Sequence, residues 1–243
     1  MGDVLGDVLI VQNSRTGGPG RVGDWLAEAG LGLDVVLAHE GAPLPDRLDH
    51  DAMIMLGGGY LPSEDDRAPW LAGARRLAAQ ALDEGVPLFG ICLGGQLIAE
   101  VAGGEVTGDS GVPENGSIPL TIRPEAAADP LFHGLPEVVP AVEHHKDAIT
   151  RLPAGAVWLA ETRACPYQAF RVGERAWGCS SIPRCCPRAS AGGGPRGSTP
   201  TRSTRGPWRT SRCRRRSGAR SPPASPRSSP SGGVSSRTSP SPA

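Results

Sequence analysis

Apolar residues follow two alternating rhythms over the first hundred positions. Val8–Gln12 (VLIVQ), Leu33–Leu37 (LDVVL), Ala52–Leu56 (AMIML) and Pro87–Ile91 (PLFGI) are short, nearly continuous apolar runs. Runs of that length read as strands buried on both faces. Between them, Val22, Trp25, Leu26 and Ala29 recur at helical spacing and stop at Gly30. Trp70, Leu71, Ala74, Leu77, Ala78, Ala81 and Leu82 form one side of a longer helical pattern, from Pro69 to Glu84, that Gly85 closes. Leu93, Leu97, Ile98 and Val101 start a third helix directly after the fourth strand. Strands alternating with helices predict an α/β fold: a flavodoxin-like, open, mostly parallel sheet with helices on both faces.

From Val106 the rhythm changes. Ser117–Ile122, Val138–Val142, Ala156–Ala160, Tyr167–Val172 and Arg175–Trp177 read as strands, with Gly173-Glu174 as a hairpin turn and Asp129–Gly134 as a turn-rich excursion. No long helix is predicted here, so the parallel sheet gains a small antiparallel β extension.

After Gly178 the pattern stops. Ser, Pro, Arg and Gly dominate, and Leu, Phe, Tyr and Met are absent. Net charge over all 243 residues is zero, yet residues 179–243 hold 13 Arg and no Asp, Glu or Lys. Residues 1–178 therefore carry 12 basic against 25 acidic side chains. Such a segment cannot bury a core and is expected to be a disordered basic tail. If the tail is real, nucleic acid is a partner it could hold through counterion release.

No stretch is apolar and long enough to span a membrane. The N-terminus lacks the basic region of a secretory signal, and position 6 is Gly, which does not fit myristoylation. Cys92 and Cys165 are the only cysteines before residue 179. That usage fits a reduced, cytoplasmic domain and no disulfide scaffold.

The chemistry concentrates at Val86–Glu100, VPLFGICLGGQLIAE. Cys92 sits at a strand-to-helix corner, flanked by Gly90, Gly94 and Gly95, which is the layout of a nucleophile elbow. The helix N-terminus is expected to favour thiolate over thiol. Gly57-Gly58-Gly59 follows the third strand, and ligands of such sheets bind outside the carboxyl ends of strands.

Three pieces together resemble class I glutamine amidotransferases of the GMP-synthase-like kind. Gly90-Ile91-Cys92-Leu93-Gly94-Gly95-Gln96 is similar to that family's G-x-C-x-G-x-Q elbow. Gly57-Gly58-Gly59-Tyr60 is similar to its oxyanion loop, and His145-Lys146-Asp147 stands where its H-x-D element lies near the glutamine pocket. The resemblance covers residues 7 to 178 and implies a glutaminase half-reaction. Cys92 attacks the side-chain amide of glutamine, and a glutamyl thioester forms and is hydrolysed, releasing ammonia. It makes the N–H groups of Leu93 and of Gly58 or Gly59 the oxyanion donors and places Gln96 and His145 at the substrate. Neither cofactor nor metal is implied. An acceptor of the ammonia would belong to a separate synthetase or acceptor subunit, because nothing in the chain resembles a nucleotide-binding partner. Glu114 stays open between a pocket-side carboxylate and a surface one.

One family element is missing: the late H-P-E that supplies the general base and its carboxylate. No His follows His145, and Trp177-Gly178 runs into Cys179-Ser180-Ser181-Ile182-Pro183-Arg184. If Cys179–Pro187 is encoded TGC AGT TCC ATC CCG AGG TGC TGC CCG after a codon ending in G, a one-base shift reads V-Q-F-H-P-E-V-L-P. The expectation is therefore a domain over residues 1–178, incomplete at its C-terminus, and an out-of-frame tail over 179–243, with activity impaired. His144 and His145 fall where the family binds substrate and are not expected to replace the base. His39, His50 and His133 read as surface or turn residues. Two other readings remain: a catalytically dead binding module with a nucleic-acid-binding tail, and a cysteine hydrolase or chaperone of the related intracellular-protease superfamily. The latter usually carries His directly after the Cys, where this chain has Leu93.

Overall fold

A computed structural model describes residues 5–110 and 113–180. The basic segment, apart from Cys179 and Ser180, lies outside the described residues, and with it the expectation of disorder. Strand β1 (Asp7–Val11) is flanked by β2 (Gly32–Val36) and β3 (Ala52–Met55), and β4 (Leu88–Ile91) follows β3, all parallel. Helix α1 (Gly20–Glu28) joins β1 to β2, α2 (Trp70–Glu84) joins β3 to β4, and α3 (Leu93–Val101) leaves β4.

The period-two alternation of the strands sorts their side chains between two layers. Leu9, Val11, Met53, Met55 and Leu88 face α2 and α3, packing on Leu71, Leu77, Leu97 and Ile98. Val8, Ile10, Ile54 and Ile91 face the opposite side, where Val22 and Leu26 of α1 cover them. Trp25, which its spacing places on the buried side of α1, is instead 47% exposed, with the Arg21 guanidinium 5.5 Å from its ring. A nine-residue helix lying on one sheet face buries only a narrow stripe. Gly85 ends α2 in the left-handed conformation (φ 67°), its N–H donating to the Ala81 carbonyl.

The antiparallel part continues the same sheet. Strands β6 (Glu114–Ile122), β7 (Val138–His145), β9 (Val157–Glu161), β10 (Ala169–Val172) and β11 (Ala176–Cys179) extend it to the order β2-β1-β3-β4-β11-β10-β9-β6-β7. β10 and β11 form the expected hairpin, and β11 then pairs parallel with β4, Gly178 opposite Gly90 and Cys179 opposite Ile91. Two short strands that the sequence did not signal, β5 (Glu105–Thr107) and β8 (Ala148–Arg151), make a separate antiparallel pair beside α3. With that pair on one flank and the sheet and α2 around it, α3 is buried from Leu93 to Ala99 instead of along one stripe. Among the described residues no helix is long and apolar enough to cross a membrane.

Candidate active site

Cys92 occupies the corner between β4 and α3 with φ 53° and ψ −112°. A side chain held there carries about 1–3 kcal/mol of backbone strain, which the surrounding packing must offset. The packing is close because glycine permits it. A Cβ on Gly94 would lie 2.2 Å from the Met55 carbonyl oxygen, and one on Gly90 would lie 2.4 Å from the backbone of Gly94. The first turn of α3 therefore rests directly on the backbones of β3 and β4. On the other side, the Cys92 N–H donates to the Cys179 carbonyl at 2.7 Å, which fixes the elbow to the end of β11.

The turn after β3 faces the elbow. A Cβ on Gly57 would be 3.4 Å from the Cys92 Cβ, and one on Gly58 would meet Leu93 Cδ2 at 2.8 Å and Asn13 Cβ at 3.0 Å. Asn13, which is not among the residues singled out from sequence, fixes this turn from below. Its Nδ2 donates to the Leu56 carbonyl at 2.7 Å, and its Oδ1 accepts from Trp70 Nε1 at 3.0 Å. A polar residue directly after the apolar run of β1, at the carboxyl end of a central strand, is the available signal.

A cleft of about 970 Å³ opens at this end of the sheet, with Cys92, Gly58, Gly59, Gln96, His145 and Asp147 among its lining residues. The structure thus gathers the expected site residues at one place. Leu93 is the exception by side chain, which lies in the core, while its backbone N–H at the start of α3 acts to lower the Cys92 pKa. Gln96 is 4% exposed, and its Nε2 donates to the Asp147 carbonyl at 3.1 Å.

The expected preference for thiolate is not met. Burial pushes the Cys92 thiol up from 9.0 to about 11, Glu143 and Asp147 add to the rise, and the Leu93 N–H pulls only partly against it. Removing an ion from water costs more than one helix-terminal N–H returns. No imidazole hydrogen bond to Cys92 occurs among the described residues. His145, at the end of β7, faces Glu114 Oε2 at 3.2 Å with Nε2 and the Asp147 carbonyl at 3.2 Å with Nδ1. His144 is exposed, its Nδ1 2.5 Å from Asn115 Oδ1. His39 Nδ1 meets the Gln12 carbonyl, His50 pairs with Asp34, and His133 lies in the turn after Asp129.

Glu114 is settled as a buried group, 6% exposed, in a polar cluster with Thr162, Gln168 and His145. Neither Thr162 nor Gln168 carries a sequence signal. Ligand atoms of Glu114, His145 and Cys165 lie within 4.8 Å of one another. Glu114 Oε2 already accepts from Thr162 Oγ1 at 3.0 Å and from Gln168 Nε2 at 2.5 Å, and burial pushes the Cys165 thiol up to about 11. Within the cluster, Glu114 and His145 are thus engaged by protein partners.

A parallel sheet whose fourth strand turns through a strained cysteine, opposite a glycine loop, is the frame of a cysteine-dependent amidotransferase. The family model for glutamine amidotransferase class-I matches residues 22–179, and the chain belongs to that family. It is 35% identical over 140 residues to a glutamine-hydrolyzing GMP synthase subunit of Methanoregula boonei, covering 57% of this chain and 68% of that relative. A solved glutamine amido transferase from Methylobacillus flagellatus superposes with a TM-score of 0.66 at 31% identity, covering 72% of this chain and 69% of that one. A Thermotoga maritima glutamine amidotransferase gives a TM-score of 0.67 at 24% identity over 72% of this chain and 75% of the other, a likeness of fold.

Proposed function

We propose that this chain is a glutamine-hydrolysing domain whose chemistry is impaired because its general base is missing. The observation that carries the reading is Cys92: a thiol at φ 53° on a strand-to-helix corner at the N-terminus of α3, opening with Gly58 and Gly59 onto one cleft. In the reaction, the thiolate adds to the side-chain amide carbon of glutamine. The oxyanion that forms is held by the N–H groups of Leu93 and of Gly58 or Gly59. The C–N bond then breaks, the amine leaves as ammonia with an added proton, and water cleaves the thioester to glutamate. Gln96, His145 and Asp147 line the substrate side. The ammonia passes to an acceptor on a separate chain; the Methanoregula boonei relative, named as one subunit of a GMP synthase, supports that division.

Both proton transfers need a base of intermediate strength beside the sulfur. The position of β11 supports a one-base shift near codon 178 as the cause of its absence. Cys179 lies next to the elbow, so a chain continuing V-Q-F-H-P-E after Gly178 would bring its histidine three residues past the contact with Cys92. On this reading residues 179–243 are an out-of-frame translation. The test is glutaminase activity of the chain as it stands beside a chain restored to V-Q-F-H-P-E-V after Gly178. The restored chain is expected to gain at least about 10³-fold in kcat. Equal activity of the two, or none in either with Cys92 intact and the protein folded, overturns the proposal.

A further inference from the structure

The carbonyl oxygen of Asp147 accepts hydrogen bonds from two sides. Gln96 Nε2 approaches from α3 at 3.1 Å and His145 Nδ1 from β7 at 3.2 Å. The rest of the turn is fixed as well: the Asp147 Oδ1 accepts from the Asp109 N–H at 2.8 Å, and the Lys146 carbonyl accepts from the Ser110 N–H at 3.0 Å. An imidazole nitrogen that bonds an oxygen acceptor must carry a proton, so Nδ1 of His145 donates to the Asp147 carbonyl and a bond from Nε2 to Glu114 places a proton there too, with Gln168 Nε2 packed 3.3 Å from Nε2. The opposite edge of that ring faces the buried carboxylate of Glu114, with Nε2 3.2 Å from Oε2 and 3.6 Å from Glu143 Oε2. Glu114 is itself held by Thr162 Oγ1 and Gln168 Nε2, residues 8% and 0% exposed. A continuous line of hydrogen bonds therefore runs from the buried end of β6, through His145, to the turn that shares the cleft with Cys92.

We propose that Glu114 is a positioning residue: by holding the His145 ring, it sets the Lys146–Asp147 turn against the nucleophile helix and thereby shapes the pocket for the substrate amino acid. The inference rests on the glutaminase reading for the identity of that substrate. Its geometry stands without it. Buried hydrogen-bonded chains of this kind are rigid because each broken link strands a donor away from water. With Glu114 removed, Thr162, Gln168 and the Nε2 edge of His145 all lose their common acceptor, and the ring is free to rotate away from the Asp147 carbonyl. Substrate affinity is then the property that falls, while the sulfur keeps its own neighbours.

The test uses the full chain and two variants, Glu114→Ala and Glu114→Gln, the second keeping size and one acceptor oxygen so that a folded sample is secured. Long-range ¹H–¹⁵N spectra of the imidazoles report which His145 nitrogens carry protons, and titration with L-glutamine followed in amide spectra gives its Kd. In the wild type the His145 Nδ1 is expected to carry a persistent proton. Glu114→Gln is expected to average that signal and to raise the glutamine Kd about 3- to 10-fold, and Glu114→Ala about 10-fold or more. A ring signature unchanged in both variants, or a Kd within twofold of wild type, overturns the positioning role. If the wild type binds no glutamine at all, the glutaminase reading falls instead, and the His145 signature alone decides the role of Glu114.

Discussion

Burial of the Cys92 thiol, opposed only by the Leu93 N–H, makes its reactivity calculable. Its pKa is raised from 9.0 to about 11, chiefly by desolvation and further by Glu143 and Asp147. A rise of two units cuts the thiolate fraction near neutral pH about 100-fold. The more basic thiolate is intrinsically more nucleophilic, and a Brønsted slope of about 0.4–0.5 returns about 6- to 10-fold in exchange with a disulfide. The net expectation is a rate on the order of tenfold below that of free cysteine. The assay is exchange with hydroxyethyl disulfide from pH 7 to 9.5, with each cysteine peptide quantified by mass spectrometry. The logarithm of the Cys92 rate should climb with unit slope across the whole range. Steric shielding lowers that line without bending it, so the bend is the informative feature. In the chain restored after Gly178, the imidazole beside the sulfur should bring the bend below about pH 8. A plateau below pH 8 in the chain as it stands would refute the reasoning, because it would require a thiolate-stabilising partner that the described residues lack.

Two further substitutions probe the frame of the site. Gly94→Ala forces a methyl to 2.2 Å from the Met55 carbonyl oxygen, a backbone atom in the middle of the sheet. It should cost about 3 kcal/mol in urea denaturation, whereas Gly59→Ala, with nothing within 4 Å, should be close to neutral; equal midpoints for the two would sink the argument. Asp129→Asn removes a buried carboxylate that accepts from Arg171 Nε at 2.7 Å, from Trp177 Nε1 and from the Leu131 and Phe132 N–H groups. The loss should be about 2–4 kcal/mol at pH 7. Burial resists ionisation of Asp129, but the Leu131 N–H, Arg171, Trp177 and the Phe132 N–H prevail and hold its pKa below 3.8. A carboxyl with a lowered folded pKa stabilises fully above its unfolded value and ceases to do so as pH falls through the folded one. The difference between wild type and Asp129→Asn should therefore be constant from about pH 5 upward and shrink below pH 3.8. Parallel acid limbs would show that the carboxylate is not ionised in the fold.

Much of this architecture is written in local pattern. The four apolar runs and three helical stripes of residues 8–101 give β1 to β4 and α1 to α3 because a strand buried on both faces and a helix with one buried side each leave a periodic trace. Cys92 is legible for a related reason: glycines at positions 90 and 94 are needed only where backbone meets backbone, and that need shows in the residue type. That no His follows His145 is legible too, since it is a plain fact of residue order. What tertiary structure alone decided are the relations between distant segments. The pairing of β11 with β4, which carries the chain to the elbow, depends on which strand edge remains open after the first four have paired, and no local period records that. The burial of Glu114, with Thr162 and Gln168 drawn from a loop about fifty residues away, is likewise invisible in a polar stretch such as Pro113–Gly116. The direction of the Cys92 pKa belongs to the same class. Sequence supplied the helix terminus that favours the charge, but desolvation depends on everything packed around the sulfur, and in the folded chain it outweighs that terminus.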